Sequence, residues 1–82
     1  MGKKEKLLLN LANARKVFAW SDLSSLLISL GYVKKEMAGS RVRFYHKEKD
    51  SLLLLHMPHP ENEIKGGALK SVKEHLKNEG FL

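Results

Sequence analysis

The chain has 82 residues, 43% hydrophobic and 29% charged, and its formal net charge of +6 gives a pI near 9.7. That length hides only about 60–65% of the unfolded surface, enough for one small core and one domain over residues 1–82. There are no cysteines, which excludes disulfides and thiolate metal sites and fits a reducing cytoplasm, while the basic balance favours polyanionic partners such as RNA, DNA or an acidic protein.

Residues 3–13 place Leu7, Leu8 and Leu11 at helical spacing behind Lys4, Glu5 and Lys6, which predicts a short helix. Lys3, Lys4 and Lys6 before Leu7-Leu8-Leu9 imitate a signal peptide. However, the apolar stretch is too short, Asn10 breaks it, and no run approaches the roughly 20 apolar residues of a membrane span. A soluble, cytoplasmic protein without membrane contact is expected. Val17-Phe18-Ala19-Trp20 reads as an extended lead-in whose rings join the core. Ser21 then suits a helix N-cap, Asp22 suits the positive helix end, and Leu23, Leu26, Leu27 and Leu30 form one apolar stripe stopped by Gly31.

Tyr32 to Met37 reads as a strand, Ala38-Gly39 as a turn, and Ser40 to His46 as a second strand with Val42, Phe44 and His46 on one face and Arg41, Arg43 and Tyr45 on the other. Lys47-Glu48-Lys49-Asp50 is a polar loop, and Ser51 to His56 a third strand. Its consecutive leucines, Leu52 to Leu55, cannot all face one side, so both faces are expected to be covered. The helix pair is one cover. The N-terminal helix or a second chain, including a homodimer through residues 51–56, is the other.

Pro58 and Pro60 forbid a helix across the next junction. The last helix is expected from Lys65 or Gly66 to Gly80, burying Ala68, Leu69, Val72 and Leu76 and exposing Lys70, Lys73 and Lys77 along one face. Free N–H groups at its start, around Gly66 and Gly67, suit a phosphate with lysines beside them. The order helix, helix, strand, strand, strand, helix is that of an α+β domain.

Three stretches resemble the HicA toxins of bacterial toxin–antitoxin systems. They are the leucine-striped helix ending in Leu30-Gly31-Tyr32, the Gly39-Ser40 pair opening a strand with Phe44, and Pro58-His59-Pro60 leading to Glu63-Ile64-Lys65-Gly66-Gly67-Ala68-Leu69. The resemblance covers roughly residues 20–82 and leaves 1–19 as an N-terminal extension. It implies a fold similar to a double-stranded-RNA-binding domain, with a three-stranded antiparallel sheet packed by helices. It also implies an mRNA-cleaving toxin, an mRNA interferase, held inactive by a HicB-like antitoxin.

In that family a catalytic histidine usually follows the Gly-Ser pair, where this sequence holds Arg41. Arginine stays protonated and cannot take a proton from a ribose 2′-hydroxyl, but its fork can hold a phosphate and stabilise charge on a cleaving one. The expected catalytic set is therefore His59 first, then His46, with Arg41. His59 matches the family's histidine in the Pro-x-His segment, with a loop-fixing hydrogen bond as its plainer role. Packing on the face of Val42 and Phe44 is the safer reading of His46, while His56 reads as a half-buried residue on the face of Leu52 and Leu54 and His75 as a solvent-facing one. Ser40, Arg41, Arg43, Lys65, Gly66, Gly67, Lys70 and Lys73 form the expected RNA surface, with Arg41 and Gly66 meeting at one anion pocket. No cofactor is called for. A metal cluster of His56, His59, Glu61 and Glu63 is disfavoured by its spacing and by the stiffness of the two prolines. A non-cleaving RNA-binding module and a protein-interaction subunit with a basic face are the rival functions.

Overall fold

The computed structural model describes residues 2–58 and 61–82. Its elements are α1 (Lys3–Asn13), β1 (Val17–Ala19), α2 (Trp20–Ser29), β2 (Tyr32–Glu36), β3 (Arg41–His46), β4 (Ser51–His56), β5 (Glu63–Lys65) and α3 (Gly66–Asn78). β2, β3 and β4 form an antiparallel meander in that order, and β1 pairs with β5 as a separate antiparallel ribbon. The α+β class and the three-stranded sheet agree with the sequence reading. The β1–β5 ribbon is additional.

That ribbon corrects the expected start of α2. Phe18 and Ile64 pair across it and are both buried. Strand geometry therefore runs through Ala19, and the Trp20 N–H donates to the Asn62 carbonyl at 2.8 Å. Trp20 becomes the first helical residue and Ala19 the N-cap, without a side-chain capping bond, so Ser21 does not cap. A partner more than forty residues away overrode a local signal.

Helices α2 and α3 cover one face of the meander. Leu23, Leu26 and Leu27 from α2, Val42 and Phe44 from β3, Leu53 and Leu55 from β4, and Leu69, Val72 and Leu76 from α3 are buried between them. Trp20 meets Phe44 edge-on, with ring centroids 6.2 Å apart. α1 lays Leu7 and Leu11 against this core. Burial at these leucines contributes about 1.5–3 kcal/mol each before entropy. Ala68, expected in the stripe of α3, is exposed because Leu69 takes the inward position of the first turn.

Gly31 turns the chain from α2 into β2 with φ 108°, and a Cβ there would meet His46 Nε2 at 2.8 Å. Both the conformation and the space demand glycine. β4 alternates strictly: Ser51, Leu53 and Leu55 are buried, whereas Leu52, Leu54 and His56 are exposed, Leu54 by 61%. The expected cover on the second face is not supplied by this chain among the described residues, because α1 packs beside α2. No helix of the described residues is long and apolar enough to cross a membrane.

Candidate functional site

The meander's open face carries Arg41 and Arg43 of the expected RNA surface. Register sets Lys35 opposite Arg43 and Arg43 opposite Leu54, Val33 opposite Tyr45 and Tyr45 opposite Leu52, and Arg41 opposite His56. All these side chains emerge from the face away from the helices, and directly opposed Cβ atoms in such a ladder lie about 4.5–5.5 Å apart. Arg41 and His56, both exposed, are therefore neighbours at one end of the sheet.

Local bonds fix that end. The Met57 N–H donates to the Ser40 carbonyl at 2.6 Å, and Arg41 Nε donates to the Ala38 carbonyl at 3.3 Å. The latter bond leaves the rest of the guanidinium fork for a ligand. Arg43 lies 5.8 Å from the centre of the Tyr45 ring. Tyr45 donates to Asp50 Oδ1 at 2.8 Å, and this bond holds its phenol above the usual value.

His56 also lines two depressions. One, of about 180 Å³, runs beside Met37 and Arg41; the other, of about 270 Å³, is bounded by Pro58, Glu61, Lys65 and Ala68. Lys65 pairs with Glu61 at 3.0 Å, with both groups well exposed. Such a pair is worth about 0–1 kcal/mol, so a stronger anion can displace it. Gly66, which enters α3 with φ 58°, opens instead into a third depression with Arg15, Lys70 and Lys73. Arg41 and Gly66 thus line separate depressions, not the single pocket expected, and His56 with Lys65 lies between them. Gly67 is exposed, with no described residue within 4 Å of a notional Cβ. Lys70 is exposed, whereas Lys73 donates to the Ala14 carbonyl at 2.8 Å and acts as a strut between α3 and the end of α1.

The remaining histidines sort by burial. His46 is 6% exposed; its Nε2 lies 3.0 Å from the Leu30 carbonyl, and its Nδ1 accepts the Lys49 N–H at 3.2 Å. A carbonyl only accepts and an amide N–H only donates, so the neutral Nε2–H tautomer satisfies both and leaves no nitrogen for a substrate proton. His46 packs, and the proton-carrying role expected for it has no geometry here. His75 is half-buried, not solvent-facing. Its Nε2 lies 2.9 Å from both Tyr32 Oη and Ser51 Oγ, which are 3.2 Å from each other. Burial pushes the Tyr32 phenol up and the Glu79 charge adds to this, while the Ser51 bond works against it. Since Ser51 and His56 are opposite ends of β4, this cluster is remote from Arg41. His59 lies outside the described residues. The half-buried position expected for His56 is corrected to an exposed one; its place opposite Arg41 required the strand register, which a sequence does not print.

A three-stranded antiparallel sheet with helices on one face and a basic, histidine-bearing face left open defines a small α+β protein built like a double-stranded-RNA-binding domain. A family model described as the HicA toxin of bacterial toxin-antitoxin systems matches residues 20–78, from the first residue of α2 to the last of α3. The chain belongs to the HicA toxin family, and is thus the toxin of a toxin–antitoxin system with an antitoxin as its partner. No curated protein and no solved structure matches it. α1 and β1 precede the matched segment.

Proposed function

We propose that this toxin is a metal-independent mRNA endoribonuclease that uses His56 as its base. The observation that carries this reading is the Arg41–His56 cross-strand pair on the open face. The resemblance puts the family's histidine at position 41; here an arginine stands there and a histidine stands across the ladder from it. One phosphate can be reached by both side chains. Arg41 holds the non-bridging oxygens and offsets the charge that builds on them. His56 takes the ribose 2′-hydroxyl proton while the 2′-oxygen bonds to phosphorus and the bond to the 5′-oxygen breaks. The products are a 2′,3′-cyclic phosphate and a 5′-hydroxyl, whose proton comes from His59 or from water. Lys65, Lys70, Arg43 and the Ser40 turn steer the strand through backbone charge and 2′-hydroxyls, not base sequence.

A HicB-like antitoxin silences the site by covering the open face. Val33, Leu52 and Leu54 supply an exposed apolar centre, and Lys35, Arg43 and Lys47 supply a basic rim suited to an acidic protein. The exposed leucines of β4 also suit a homodimer, but two copies meeting on this face would bring their cations together, so the antitoxin is the favoured occupant.

Full-length protein incubated with RNA in EDTA tests the activity. His56→Ala is expected to slow cleavage by about 10²–10⁴-fold, the worth of a positioned base, with KM nearly unchanged. Binding without cleavage by the unaltered protein would favour the non-catalytic RNA-binding module. Failure to bind RNA near physiological salt would leave only a protein-interaction subunit.

A further inference from the structure

The segment before the family match contributes to a depression of its own. Arg15, between α1 and β1, faces Lys70, Lys73 and Glu74 of α3 across a cleft of about 490 Å³ floored by Leu69. The Lys73 bond to the Ala14 carbonyl holds the chain beside α3 just before Arg15. Three cations here meet one carboxylate. The only ion pair among the described residues is Lys65–Glu61, so neither Arg15 nor Lys70 forms a salt bridge with a described carboxylate. Like charges gathered in a concave wall raise the local potential and draw in polyanions. The β1–β5 register sets Val17 opposite Lys65, so Arg15 lies two residues from the strand position facing the lysine that borders the His56 cleft.

We propose that this cleft is a second phosphate-binding subsite for the RNA backbone, formed jointly by Arg15 and Lys70, which extends the strand's path beyond the cleavage site. The inference rests on the ribonuclease reading and deepens it. A strand crossing the first turn of α3 passes from Arg41 and His56, by Lys65, to Arg15 and Lys70. An RNA backbone suits the cleft better than a protein segment does. None of the large exposed apolar side chains lines this cleft, whereas Val33, Leu52 and Leu54 gather on the sheet face and cations dominate this wall.

The test uses the full chain with His56→Ala, which keeps the RNA intact, and fluorescent single-stranded RNAs titrated over a salt series. Adding Arg15→Ala and Lys70→Ala is expected to weaken binding of a ten-nucleotide RNA about tenfold at low salt. The slope of log affinity against log salt should become shallower by about 1.4, at about 0.7 per lost phosphate contact. Binding of a two-nucleotide RNA, which fills only the His56 cleft, should be unchanged. Unaltered affinity and slope with the long RNA, alongside a clear loss on Arg41→Ala, would overturn the subsite and leave the ribonuclease reading standing. Loss of antitoxin affinity with unchanged RNA binding would assign the cleft to the antitoxin and also overturn it. No RNA binding by any variant would defeat both readings together. Both side chains are exposed, so melting temperature serves as the folding control.

Discussion

Replacing Gly31 with alanine probes the joint between α2 and the sheet, and its cost can be assembled from two observations. At φ 108° a Cβ carries backbone strain of about 1–3 kcal/mol. The same Cβ would sit 2.8 Å from His46 Nε2, a contact that real Cβ atoms essentially never make. His46 must then move off the Leu30 carbonyl, leaving buried partners unsatisfied at about 1–3 kcal/mol. Lower entropy of the unfolded chain returns about 0.4–1 kcal/mol. With each contribution at the middle of its range the net loss is about 3 kcal/mol, a drop in Tm of about 12–24 °C for a chain this short. Gly39→Ala is the control: its φ of 73° brings strain, but no described residue lies within 4 Å of its Cβ. It should lose only the strain component in a urea titration. Equal losses at the two positions, or a Gly31→Ala protein melting within a few degrees of the parent, would refute the assigned role of His46. A Gly31→Ala, His46→Ala double variant should be clearly less destabilised than the sum of the singles.

Other consequences can be measured on the same material. Ser24 is 8% exposed and its hydroxyl has no hydrogen-bond partner among the described residues. Ser24→Ala should therefore stabilise by about 1 kcal/mol, and an unchanged or lower Tm would show that the hydroxyl is satisfied after all. The folded state holds the Tyr32 proton more tightly than the unfolded chain, whose phenol titrates near 10.0. This stability is fully present below that value and is lost as pH rises through the higher folded one. Tyr32→Phe should be less stable at neutral pH yet lose less between about pH 9 and 11; parallel curves would contradict this. Leu54 is 61% exposed beside Arg43, so Leu54→Glu should leave Tm within a few degrees of the parent. It should weaken binding of an acidic antitoxin at least about tenfold, or about 1.4 kcal/mol, by calorimetry. Full affinity would place the antitoxin elsewhere.

Elements whose signal is carried within a few residues were legible early. The stripe Leu23, Leu26, Leu27, Leu30 with its Gly31 stop, and the alternation of β3 that buries Val42 and Phe44, stand as expected. The extended backbone of Val17–Ala19 was legible but its pairing was not, since it becomes a strand only through Glu63–Lys65. Four leucines in a row gave no way to tell a strand buried on both faces from one that leaves Leu52 and Leu54 open to a partner. Among the site residues, the type and exposure of Arg41 and Arg43 could be read from period-two patterning. The pairing of Arg41 with His56 could not, because it depends on register.

Composition, charge and short-range periodicity by themselves determined a small basic α+β protein, the core leucines of α2 and the basic outer face of β3. These depend on hydrophobic burial at helical or strand spacing, which each segment carries whatever the others do. Only the tertiary structure decided that His46 and His75 are engaged in packing, that His56 faces Arg41, and that Arg15 joins Lys70 around one cleft. Those facts turn on strand pairing and helix docking between distant segments, which fix the partners that a polar side chain meets.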